Sequence, residues 1–173
     1  MKALKNNRGS AMPFFVVILF FILALVAIIY QNGTMITTGY SVRNAMQKVA
    51  LNTVTQNSAA TYPSKREGYT GAYQKLGSWQ PAVEAIDPAA QLTVMLGLTG
   101  EGEDLVKCGS GGEELYRLTN VQVNTENTAW QDRTDGIKAT VQLDLVIAVK
   151  YPLVGAKILT IPISVSAENK MKF

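Results

Sequence analysis

Residues 11–30 read AMPFFVVILFFILALVAIIY, twenty positions without a charged side chain. A helix of that length is about 30 Å long, the thickness of a bilayer's hydrocarbon core. Fourteen of the twenty are Phe, Val, Ile or Leu. At about −0.3 to −0.6 kcal/mol each near a helix centre, they favour insertion by roughly 4–8 kcal/mol. Pro13 falls in the first turn, where its missing N–H leaves no helix bond unmade, and Tyr30 stands at the far end, at headgroup level. The stretch therefore predicts a transmembrane helix. A cleaved secretory signal fits less well, because its apolar core spans about 7–15 residues and ends in a small-x-small site. Here the run is longer and Leu25-Val26-Ala27 matches such a site poorly.

Outward from this run the charges are lopsided. Lys2, Lys5 and Arg8 sit in a basic leader, 1–10, and no charged residue follows until Arg43. Removing those three from the chain's 16 basic residues leaves 13, as many as there are acidic ones, so the leader carries the whole net charge of +3. By the positive-inside rule the leader is cytoplasmic and 31–173 lies outside the cell membrane. The exported part has no basic excess to neutralise phosphates, so the lipid bilayer is an expected partner and nucleic acid is not.

The helix continues past the membrane over 31–60, a stretch without proline. Met35, Val42, Met46, Val49 and Thr53 recur at spacings of seven, four, three and four, a helical stripe. It packs either on the protein's own sheet or on neighbouring subunits. The second reading makes Met35, Val42, Met46 and Val49 a partner contact in a homo- or hetero-oligomer. Gly33 and Gly39 weaken this juxtamembrane part and suggest a hinge.

Residues 61–173 predict an extracytoplasmic α+β domain. The Tyr- and Gly-rich segment 61–78 reads as an exposed loop. Asp87-Pro88 is a helix-start signal for a short helix over 88–96 that ends near Gly97 to Gly100. Ile137, Ala139, Val141, Leu143, Leu145, Ile147 and Val149 alternate with mostly polar residues, the clearest strand signal in the chain. Leu159, Ile161, Ile163 and Val165 do the same across a turn at 151–157, and Pro162 places that strand at an edge or a bulge. Segment 115–125 is a third strand and 101–106 a short fourth. The expected fold is thus α+β: a transmembrane helix continuing into a long helix packed on an antiparallel sheet of three or four strands.

Little here supports chemistry. The chain has no histidine and one cysteine, Cys108, so it has no Ser-His-Asp or Cys-His pair and no internal disulfide. Gly109-Ser110-Gly111-Gly112 lacks the lysine of a phosphate loop and precedes a strand, not a helix. The acidic residues Glu101, Glu103, Asp104, Glu113 and Glu114 lack the spacing of a calcium loop. No enzyme, metal or cofactor is expected.

Three features together resemble the TadE-like and TadG-like minor pilins of tight-adherence pili, within the type IV pilin-like superfamily. They are RGSAMPFFVVILFF (8–21), the polar helical continuation, and the ending VIAVKYPLVGAKILTIPISVSAENKMKF (146–173). The resemblance implies other pilin-like or secretion-apparatus subunits as partners. It also implies possible prepilin-type processing between Gly9 and Ser10. The family usually carries glutamate at the fifth mature position, where this chain has Phe14. The competing reading is a surface-anchored binding module for a wall polymer or host ligand, with Tyr62, Tyr69, Tyr73 and Trp79 as contacts.

Overall fold

The computed structural model describes residues 11–66, 72–75, 78–81, 87–101, 103–126, 136–151 and 155–169. In chain order the elements are α1 (Ala11–Arg66), β1 (Ala72–Lys75), β2 (Ser78–Pro81), α2 (Pro88–Leu96), β3 (Thr99–Glu101), β4 (Asp104–Cys108), β5 (Glu114–Glu126), β6 (Ile137–Tyr151) and β7 (Gly155–Asn169). Strands β3 to β7 form an antiparallel sheet in simple sequence order, with α1 laid along β6 and β7. The architecture is the expected α+β.

β6 shows why the sequence folds this way. Its seven odd-numbered residues from Ile137 to Val149 are all buried, while the even-numbered ones are at least partly exposed. A strand turns successive side chains to opposite faces, so this register gives the sheet one apolar face. Helix α1 covers that face. Val42, Met46 and Val49 are each 0% exposed, with Ala45, Ala50 and Val54 beside them. Leu92 and Leu98 close one side of this core, and Leu105, Tyr116 and Leu118 extend it across β4 and β5. β7 is the edge strand, and Pro162 sits on it opposite Asp144.

α2 is the helix read from Asp87-Pro88. The Asp87 carboxylate accepts from the backbone N–H groups of Ala89 at 2.9 Å and Ala90 at 3.3 Å, an N-cap. Gly97 ends the helix at φ +60°, and Leu98 N–H closes back on Thr93 O. The Lys107 ammonium then donates to the Leu96 and Gly97 carbonyls at 2.7 and 3.1 Å, placing a cation at the negative helix end.

Two expectations need correction. The sheet has five strands, because 99–108 folds as a hairpin of β3 and β4 in place of one short strand. α1 runs to Arg66, so 61–66 is helix and not loop. Pro63 loses one helix hydrogen bond, but its fixed φ is a helical value, and an established helix propagates cheaply. From within the expected loop to just beyond it, a separate two-stranded hairpin forms, β1 with β2. α1 is helical through Gly33 and Gly39, as the predicted continuation requires, and a Cβ at either would meet nothing within 4 Å.

Leu145→Ala removes a fully buried side chain from the centre of β6 and is expected to cost the domain about 2–5 kcal/mol. Val94→Ala on α2, where the side chain is 84% exposed, is expected to change stability by less than about 0.5 kcal/mol. Thermal melts of the detergent-solubilised chain, followed by circular dichroism, measure both.

Candidate membrane and partner interface

Among the described residues one helix, α1, is long and apolar enough to cross a membrane. None of its most apolar 18-residue window is buried within the protein. Its first part therefore stands as a bare apolar rod, exposing Phe14, Phe15, Phe20, Phe21 and their neighbours. A soluble core helix is covered by its own protein, and this one is not. Just past Tyr30 the polar side chains bond back to the helix. Asn32 Nδ2 donates to Ile28 O at 3.0 Å, Thr34 Oγ1 to Tyr30 O at 3.0 Å, and Thr37 Oγ1 to Gly33 O at 2.9 Å. Such bonds keep polar groups satisfied where water thins out at a membrane surface.

The stripe proposed as a partner contact lies in the protein's own core. Val42, Met46 and Val49 face β6 and β7 with no exposed surface, and Met35 packs partly buried against them. They are not available to another subunit in this fold. The outward face of α1 carries Ile36, Tyr40, Arg43, Gln47 and Leu51, all exposed, at spacings of four, three, four and four. Ile36, Tyr40 and Leu51 are more than half exposed. Lys2, Lys5, Arg8, Gly9 and Ser10 lie outside the described residues, as does Tyr69. Tyr62 falls in α1, and Tyr73 and Trp79 fall on β1 and β2.

Two contacts fix how the sheet sits along α1. At one end Asn169 Nδ2 donates to Ser58 Oγ at 2.9 Å. At the other, Tyr30, Gln31, Thr34, Met35 and Thr38 share a cleft of about 310 Å³ with residues 113–116 and 147–150. The strands therefore run along the helix axis. The β4–β5 turn, the end of β6 and the start of β7 lie beside the point where the apolar run stops.

The polar groups of the sheet form local ties. Arg117 bridges Asp104 at 3.1 Å and Glu114 at 2.9 Å. The hydrogen bond from Arg117 holds the Glu114 carboxyl below its ordinary pKa, opposed by burial, with the guanidinium charge adding the smallest effect, also downward. Burial raises the Tyr116 phenol above its ordinary value, so it stays neutral. Asn120, at φ +54°, forms a bulge in β5 and donates to Asp144 at 2.7 Å. The glycine segment at 109–112 is a turn, with Gly112 at φ +81° bonded back to Gly109 O. Cys108 is exposed at its start. Among the described residues no three of His, Cys, Asp and Glu gather closely enough to hold a metal ion.

No protein-family model matches the chain, and neither a curated protein nor a solved structure shows significant similarity to it.

The Glu114–Arg117 pair has a definite pH signature. Because the folded-state pKa of Glu114 is lowered, its contribution is present above the ordinary carboxylate pKa and is lost as pH falls through the lowered value. The stability difference between wild type and Glu114→Gln is expected to be under about 1 kcal/mol at neutral pH, since the pair is half exposed, and to vanish in acid. Urea titrations across that range read it directly.

Proposed function

We propose that this protein is a single-pass, membrane-anchored structural component of a pilus-like or secretion-type surface apparatus, of the tight-adherence minor-pilin kind, that acts by holding partner subunits and not by catalysis. The observation that carries this reading is α1. It is one unbroken 56-residue helix, about 84 Å long. Its first turns have no cover within the protein, and its outer part is both the core of the domain and an outward stripe.

Such a helix couples a membrane position rigidly to an exported domain. In lipid, where helices gain nothing from hiding apolar surface, lateral association depends on close packing along the rod. Beyond the lipid, Ile36, Tyr40 and Leu51 offer apolar anchor points at helical spacing to a neighbouring helix. The basic leader and the uncharged span to Arg43 support an N-terminus in the cytoplasm and a domain outside. The resemblance supports the apparatus: a leader ending in Gly9, a helix that outruns the membrane, and a long closing hairpin, here β6 with β7. Phe14 cannot supply the carboxylate that family members place at that position. This favours a subunit retained as an anchor at the base over one stacked in the filament.

Protease added to spheroplasts is expected to digest the sheet domain while a tag on the leader stays protected; the reverse pattern overturns the orientation. Mild-detergent pull-down is expected to recover pilus or secretion subunits, and their absence from the wild-type eluate overturns the reading. The combined variant Ile36→Glu, Tyr40→Glu, Leu51→Glu is expected to cut that recovery about tenfold or more, the loss of about 1.4 kcal/mol or more of binding. Its melting temperature should not change, because all three side chains face away from the core.

A further inference from the structure

The outer face of the sheet, turned away from α1, changes character along its length. At the end beside Ser58 its cross-strand rows are polar: Glu126, Lys138 and Glu168, then Asn124, Thr140 and Ser166, then Gln122, Gln142 and Ser164. Toward the other end the same face carries Val146, then Ala148 paired with Ile158, then Lys150 paired with Ala156. Ile158 is 70% exposed. A polar outer face thus ends in an uncovered apolar row.

The position of that row identifies what it meets. Ala148 and Lys150 line the cleft shared with Tyr30, Gln31 and Thr34. Tyr30 ends the apolar run, and Thr34 lies about 6 Å further along the helix axis. The headgroup layer of one leaflet is about 5–8 Å deep. The sheet end is therefore level with the headgroups of any bilayer that α1 crosses. Lys150, exposed and one row beyond Ala148 and Ile158 on the same face, has a long stem that keeps its ammonium group among lipid phosphates. The acidic groups at this end are Glu113 and Glu114. Arg117 pairs with Glu114, and Glu113 folds over the Gly109–Gly111 turn.

We propose that this end of the sheet, with Ala148 and Ile158 beside Lys150, is a second lipid contact: it seats in the headgroup layer of the bilayer that α1 spans, preferring anionic phospholipid. The proposal depends on α1 being a membrane span, and its test separates the two. The full chain, with Cys108→Ser, is reconstituted in phosphatidylcholine–phosphatidylglycerol vesicles and labelled with an environment-sensitive fluorophore through I158C or, separately, S166C. The I158C label is expected to emit at shorter wavelength and to lose intensity with shallow spin-labelled lipid, while the S166C label does neither. Water-like emission at I158C overturns the proposal. So does a blue shift without lipid quenching, which would mean cover by protein, including a second copy of the chain.

Adding Lys150→Glu to the I158C chain is expected to reduce the quenching, and unchanged quenching overturns the preference for anionic lipid. Alkaline carbonate extraction of the same vesicles reports on the span. Release of the protein overturns the membrane anchor, whereas retention with a water-exposed I158C label overturns the second contact alone.

Discussion

The structure depends on one interface, the burial of the α1 stripe against the odd-numbered row of β6. Val42, Met46 and Val49 on one side and Val141, Leu143 and Leu145 on the other are all buried, and the remaining core residues extend from this seam. Each such side chain contributes roughly 1.5–3 kcal/mol on leaving water, so the seam is the largest favourable term in the domain. It also sets geometry. Both elements are long, so packing one on the other aligns the strands with the helix and fixes which end of the sheet lies nearest the apolar run.

That alignment couples two solvents. α1 begins as a rod with no intramolecular cover and ends as half of a hydrophobic core, with no break between. The domain therefore inherits whatever tilt the apolar part adopts. The stretch with the least support is the juxtamembrane segment around Gly33 and Gly39. Each glycine costs a helix about 1 kcal/mol relative to alanine, and neither is demanded by a close neighbour. Bending is cheapest there, between the lipid and the seam.

Much of this was legible in the residues, and the failures have physical causes. The β6 alternation was readable because a strand buried on one face has a strict period of two. α2 was readable because Asp87, Pro88 and Gly97 each do a distinct geometric job at a helix end. β3 was not, because Thr99-Gly100-Glu101 is too short for any period to show. The end of α1 was misplaced because Pro63 and the tyrosines around it carry turn signals that helix propagation overrode. The stripe of Met35, Val42, Met46 and Val49 was correctly seen as a face. Periodicity identifies a face and not what covers it, so the choice between the protein's own sheet and a partner needed the fold. The outer-face gradient had a similar fate: Lys138, Thr140 and Gln142 giving way to Val146 and Ala148 is plain in the sequence, but its meaning requires knowing which end of β6 lies beside Tyr30.

Two uncovered apolar surfaces outside the apolar run lie on opposite sides of a two-layer domain. Ile36, Tyr40 and Leu51 face outward from the helix layer, and Ala148 and Ile158 face outward from the sheet layer. A single helical anchor leaves a domain free to rotate about the helix axis, so any surface on it samples every direction parallel to the membrane. A second lipid contact displaced to the sheet side removes that freedom, because rotation and tilt then have to drag the sheet end through the headgroups. Seated as proposed, the domain would hold the helix stripe at a fixed azimuth, turned away from the seated side and open to neighbours. A subunit that must present one face to partners diffusing in the same plane gains from this. The entropy of orienting that face is lost once, on seating, and not again at each encounter.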